Sequence, residues 1–273
     1  MSHGCSSFAL SLLWLAGSWL VATECLAQGS RPGAIETLTR AFESRGRAPY
    51  SRVEETAAIR AASLGRPGQL LAFTNLEGRP PRVADGDLLG LRGLALIVAG
   101  RSAEALQLAR ELEKLIEPEL QRYAPTYGMS CLPAIYELTG RSDEALRYFR
   151  KLRAAFPRED NVKNNLAWFL ATTPDAKSRN GADALQLATA ANRVGGFRDP
   201  AIADTYAAAL AECGRFEEAA ARQRDVTMRF EREPGLAGEV AGSRGRTKLY
   251  ESRKPYRKEI GRQGAMARLA GDI

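Results

Sequence analysis

Apolar residues recur at three- and four-residue steps through most of the chain after residue 50, the spacing that gathers them on one side of an α-helix. Between Tyr127 and Thr139, Leu132, Ile135, Tyr136 and Leu138 share one stripe, and between Asp143 and Phe156, Leu146, Phe149 and Leu152 form another. The segments come in pairs. Asp87–Ala99 with Ala103–Ile116 precedes that pair; Asn161–Thr172 with Ala182–Asn192, then Ala201–Cys213 with Glu217–Phe230, follow it. Pro118, Pro157 and Pro200 stand between successive pairs, where a residue without an amide donor interrupts a helix or opens one. A fainter unit over Val53–Leu76 has Gly65-Arg66 at its centre and Pro67 where a second helix would start. Ala34 to Ser44 reads as one further helix leading in.

Three of the joints are spelled alike. Gly100-Arg101-Ser102 with Glu104-Ala105-Leu106 recurs as Gly140-Arg141-Ser142 with Glu144-Ala145-Leu146, and more loosely as Gly214-Arg215-Phe216-Glu217-Glu218-Ala219-Ala220. Glycine suits the end of the first helix, and a serine or charged residue suits the start of the second. Units this short bury their apolar faces only by stacking. The expected fold class is therefore all-α, a helical-hairpin repeat solenoid of four to five units over residues 51–233. Within the Asn161 pair the connection from Thr173 to Gly181 is longer, and Pro174, Asp175 and Asn180-Gly181 mark it as a loop. After Phe230, a Glu-Pro-Gly-Leu-Ala-Gly stretch breaks the pattern ahead of a distinct segment, residues 234–273.

These units resemble tetratricopeptide repeats. The resemblance rests on Leu132, Tyr136, Gly140, Ala145, Phe149 and Pro157 in one unit, on Gly93, Leu96, Gly100 and Ala105 before it, and on Ala207, Leu210, Gly214 and Ala219 later. Pro133 departs from the pattern, where the family prefers Gly or Ala, and implies a kink in that helix. Asn164-Asn165-Leu166-Ala167-Trp168 with its Pro-Asp loop is similar to a variant in exported bacterial repeat proteins. The resemblance implies a right-handed superhelix in which the first helix of each pair lines a concave groove. On that pattern Tyr127, Ser130, Asn161, Asn164, Trp168, Asp204 and Glu212 face the groove and meet a protein or peptide. Asn164 and Asn165 have a structural alternative in capping and packing, and Trp168 in burial between helices. Some family members grip a terminal carboxylate with paired Lys and Asn; Lys163 beside Asn164 and Asn165 is half of such a clamp, without a matching base in the neighbouring first helices.

The first 27 residues have another character. Phe8 to Ala22 is an apolar run, and Cys25-Leu26-Ala27 supplies small residues around a cleavage point, as in a secretory signal peptide. Met1 to Ser7 carries no Lys or Arg, and an uncleaved membrane anchor is the alternative. Residues 28–50 then form a linker with the lead-in helix. Cleavage would remove His3, the single histidine, along with Cys5 and Cys25. The remaining Cys131 and Cys213 fall in non-adjacent units, so they read as small half-buried apolar residues and not as a disulfide.

Charge is concentrated at the far end. The formal net charge is +7. Arg244, Arg246, Lys248, Arg253, Lys254, Arg257, Lys258, Arg262 and Arg268 face only Glu251 and Glu259 in the same stretch, so the repeat region is close to neutral. A basic segment of this kind attracts anionic lipid or polymer, or serves as a solvated cap. Tyr250 and Tyr256 interleave with it, but no nucleic-acid-binding motif accompanies it, and nucleic acid is not expected as a partner. The chain offers no phosphate-cradling glycine loop, no metal-ligand cluster and no nucleophile with a base in reach. A non-catalytic scaffold outside the cytoplasm, with no cofactor and no metal, is the expectation; an envelope-associated organiser held by the basic segment is the alternative.

Overall fold

The computed structural model describes residues 86–120, 127–192, 199–232 and 239–270, with isolated positions between 67 and 81. The chain divides into two compact units, Met1–Thr56 and Ala57–Ile273, and every described residue lies in the second. The expected leader, the Ala34 to Ser44 helix and most of the faint Val53–Leu76 unit lie outside the described residues.

The described residues form helices and no strand. In chain order these are α1 (Gly86–Val98), α2 (Ser102–Ile116), α3 (Tyr127–Leu138), α4 (Ser142–Ala155), α5 (Asp160–Thr172), α6 (Gly181–Ala191), α7 (Pro200–Glu212), α8 (Phe216–Arg232), α9 (Glu239–Glu251) and α10 (Gly261–Ala270). The first eight are the four expected pairs, with ends shifted by about one or two residues, as helix ends commonly are. Pro118 sits in a short 3-10 turn after α2, and Pro133 lies inside α3, which continues to Leu138. Successive helices pack on one another: α1 on α2 and α3, α3 on α4, α4 on α5, α5 on α6 and α7, α7 on α8, and α8 on α9. The last helix breaks the sequence of neighbours, because α10 packs back on α1 and α3.

The three spelled joints share one geometry. Gly100, Gly140 and Gly214 have φ of +79°, +77° and +77°, a region in which a β-carbon is strained. Each reversal is closed by two backbone bonds: Arg101 N–H donates to Leu96 O at 2.8 Å and Gly100 N–H to Ile97 O at 3.0 Å, with the same pattern at Arg141 and Arg215. The arginine, not the serine, occupies the cap position of α2 and α4, without a side-chain cap. Its guanidinium turns outward instead. Arg101 forks Glu104 at 2.6 Å through both pairs of atoms, and Arg215 does the same to Glu218. The acid in the first turn also suits the positive end of the helix.

Close packing follows from small residues at the crossings. A β-carbon at Gly93 of α1 would fall 2.3 Å from Ile135 Cδ1 of α3, so glycine lets these helices approach. Leu94, Ile97, Leu112, Ile116, Leu132 and Ile135 are fully buried there. Second helices are joined by ions. Arg110 and Glu113 of α2 and Glu117 just after it meet Glu144, Arg147 and Lys151 of α4, successive turns facing successive turns. Glu113 is the hub: it accepts from Arg147 Nη1 at 2.7 Å, Arg147 Nη2 at 3.0 Å, Lys151 at 3.2 Å and the buried Tyr136 hydroxyl at 2.6 Å. Burial pushes its carboxyl up, but these donors outweigh that and hold it at about 2.

Candidate functional site

The C-terminal ends of α3, α5 and α7 have something in common. None carries a basic residue in its last turn. Helix ends leave carbonyls unpaired and carry partial negative charge, which a lysine or arginine normally complements. Here the charge is increased: Glu137 is the penultimate residue of α3 and Glu212 the last of α7, while α5 ends in Thr172.

One cation is local, since Arg179 in the loop after α5 donates to Thr173 O at 3.1 Å and lies 3.3 Å from Glu212 Oε1; the others come from the far end of the chain. After α9 the backbone turns through a fourth joint, with Arg253 N–H on Tyr250 O at 2.9 Å and Lys254 N–H on Leu249 O at 2.9 Å. The turning residue is Arg253 at φ +56°, where the earlier joints have glycine. Pro255 follows, and residues 254–260 run without helix across the ends just described. Lys258 N–H donates to Thr172 O at 2.9 Å, and its ammonium lies 2.6 Å from Glu137 Oε2. Arg257 donates to Ala171 O at 3.2 Å and places Nη2 2.6 Å from Glu212 Oε2, an ion contact set off the hydrogen-bond direction. The Tyr256 ring sits 5.8 Å from that of Trp168. Beyond this stretch α10 closes tightly on α3: a β-carbon at Gly264 would fall 2.7 Å from Leu138 Cδ2 and 2.1 Å from Glu259 O.

Under the crossing stretch lies a buried ion pair. Arg246 of α9 donates through Nε to Asp204 Oδ1 at 3.0 Å, and its Nη2 stands 2.8 Å from Oδ2 as an ion contact only. Gln223 donates to both Asp204 and Ser243, and Ser243 also pairs with Thr227, so α7, α8 and α9 are tied together. The Arg246 guanidinium carbon is 5.6 Å from the centres of both the Trp168 and Tyr256 rings, within cation–π range. Burial pulls the Arg246 pKa down, but the Asp204 carboxylate outweighs it and the net direction is up. Burial pushes the nearby Tyr250 hydroxyl up.

Of the residues expected to face a partner, Trp168, Asp204 and Glu212 come together here. Tyr127 and Ser130 lie in the first turns of α3, with side chains outside the described set, and Asn161 in the first turn of α5 is exposed. Asn164 is half-buried, and its Oδ1 has no hydrogen-bond partner among the described residues. Lys163 is engaged by Arg158 O and Asp160, which occupies the ammonium a carboxylate clamp would need. Trp168 is buried, as its packing alternative requires, yet one face meets Tyr256 and Arg246. Within the basic set, Arg246, Arg257 and Lys258 are paired as above. Arg244 pairs with Glu231 at 2.7 Å, Arg253 lies 3.8 Å from Glu217, and Lys248, Lys254 and Arg262 are exposed. The Arg268 side chain is outside the described set.

Neither the protein-family models nor the curated proteins give a match to this chain. Its site is read from its own residues. Glu137 and the Thr172 carbonyl were not foreseen. The signal for Glu137 is a carboxylate set inside the apolar stripe, between Tyr136 and Leu138. Cys131 is buried and Cys213 exposed, and no disulfide joins them. Among the described residues no cluster of His, Cys, Asp or Glu has the makings of a metal site, and no helix is long and apolar enough to cross a membrane.

Proposed function

We propose that this chain is a non-catalytic interaction scaffold whose tetratricopeptide-like pairs, arranged as a right-handed superhelix, hold an extended segment of a partner protein across the ends of their first helices. The observation that carries the reading is the crossing stretch itself. Residues 254–260, which have no helix or strand of their own, are held by Thr172 O, Glu137, Glu212 and Trp168. A face able to hold one polypeptide segment through backbone, ionic and aromatic contacts has the chemistry to hold another. The Phe8 to Ala22 run supports a site of action outside the cytoplasm.

Attachment to anionic lipid or polymer through the basic segment has less to draw on. Arg246, Arg257 and Lys258 are each spent on a carboxylate of the fold. A photo-crosslinking amino acid at exposed Pro174, two residues beyond the Thr172 end of α5, compared with one at exposed Gln107 on α2, tests the scaffold reading in intact cells. A defined partner trapped from 174 and not from 107 is the expected result. The same products from both positions, or none from 174, would remove these helix ends from the reading.

A further inference from the structure

The chemistry of the partner is legible in what already fills the face. Two buried or half-buried carboxylates, Glu137 and Glu212, are met by two consecutive cations, and the aromatic residue just before them lies beside Trp168. An acidic or neutral segment in the same place would leave the buried Glu137 without a counter-ion and Glu212 with Arg179 alone, at 3.3 Å, so the face selects for positive charge.

The internal segment fits this face incompletely. Glu137 is 1% exposed, and while Oε2 takes the Lys258 ammonium, Oε1 has no hydrogen-bond partner among the described residues. The buried Trp168 Nε1 has none there either. A lysine serves one carboxylate oxygen from a point charge, whereas a guanidinium presents two parallel N–H groups and serves both. Leaving buried groups unmet is unfavourable, and a competitor that meets them gains what the internal segment forgoes. The joint that launches the segment is strained as well, since Arg253 holds a left-handed φ that glycine holds at the other joints.

We propose that residues 252–270 are a displaceable internal ligand of this face, and that the partner replacing them presents, in extended form, an aromatic side chain followed directly by two arginines. This rests on the partner-site reading given above. The segment then acts as a gate. Tethered at an effective concentration on the order of millimolar, an internal ligand of roughly ten-micromolar intrinsic affinity weakens an identical competing peptide about a hundredfold. Entry is reserved for a segment that outbids it through the arginine fork.

The test uses the full chain and three labelled peptides in fluorescence anisotropy. One copies residues 252–261; the second has arginine at the position of Lys258; the third has alanine at the positions of Tyr256, Arg257 and Lys258. Arg257→Ala with Lys258→Ala weakens the internal copy, and Gly264→Ala does so separately, its β-carbon colliding with the Glu259 carbonyl while every receptor side chain remains. Both chains, shown folded by circular dichroism, should bind the first two peptides about ten- to a hundredfold more tightly than the unaltered chain does, as release of a tethered competitor requires. The arginine peptide should bind about tenfold more tightly than the lysine one, as charge-assisted bidentate pairing predicts. The alanine peptide should not bind. Equal binding of all three, no gain in the altered chains, or no advantage for arginine would each overturn the proposal. Should the altered chains unfold, hydrogen exchange on the unaltered chain decides: excess arginine peptide must speed exchange at the Lys258 amide, and an unchanged rate overturns the proposal. Absent peptide binding alongside a partner trapped from position 174 would sink this inference alone; peptide binding with no trapped partner would sink the scaffold reading alone.

Discussion

Asp204 and Arg246 allow a sharp test, because the same pair is expected to be damaging when broken and nearly dispensable when removed whole. The two side chains are 5% and 4% exposed, so whichever charge survives a single substitution stays out of water. Breaking one side of a buried pair typically costs about 3–5 kcal/mol for that reason. Arg246→Met leaves Asp204 with the Gln223 amide at 2.5 Å and withdraws a cation from the Trp168 and Tyr256 rings. Asp204→Leu strands the guanidinium between those rings with no counter-ion on α7. Both singles should fall in that range. The double variant removes both charges, and Gln223 keeps its bond to Ser243, so it should lose only about 1 kcal/mol, one ordinary hydrogen bond. Urea unfolding followed by far-ultraviolet circular dichroism reads this directly. With a slope of about 2 kcal/mol per molar, the singles lower the midpoint by about 2 M and the double by well under 1 M. Singles that together add up to the double would show that the two side chains do not interact, and the reading of this cluster as a buried ionic tie would be wrong.

Three further outcomes follow from the same packing. The Glu113 carboxyl is held at about 2, against its ordinary 4.5, so its contribution is fully present above pH about 4.5 and lost as pH falls toward 2. That interval corresponds to about 3 kcal/mol, reduced to about 2 by solvent screening of the half-exposed Arg147; unfolding midpoints at pH 6, 4 and 3 should show the loss, and Glu113→Gln should flatten it. Gly93→Ala drives a β-carbon into Ile135 Cδ1 and should cost about 1–3 kcal/mol, as overpacking does. Ile135→Val removes the colliding atom, so the pair should recover part of that loss in thermal unfolding, and a harmless Gly93→Ala would contradict the packing described for α1 and α3. Arg253→Gly should raise stability by about 0.5–1 kcal/mol, because relief of the left-handed strain exceeds the extra chain entropy of glycine. A lower midpoint would mean that the Arg253 contacts with Phe216 and Glu217 outweigh the strain.

The helix pairs were legible because everything that makes them is local. Three- and four-residue periodicity declares a helix within one window, and a glycine at a left-handed joint declares its end from a single position. The fourth joint was missed for the same reason, since Arg253 stands where glycine would have announced it. The crossing stretch was illegible for a different one. Lys258 meets Glu137 across 121 residues and Arg257 meets Ala171 across 86, so no window contains both sides of either contact. Read alone, a run of cations looks solvated. What distinguishes this run is its complement: α2, α4 and α8 carry Lys114, Arg153, Arg229 and Arg232 in their last turns, whereas α1, α3, α5 and α7, and α6 alone among the second helices, carry no base there. Every first helix thus leaves its negative end to be met from outside itself, and the bases that meet α3, α5 and α7 are Arg257 and Lys258, with Arg179 from the loop after α5. A deficit of that kind, repeated on every first helix, is a sequence-level mark of helix ends that a basic segment remote in the chain can meet.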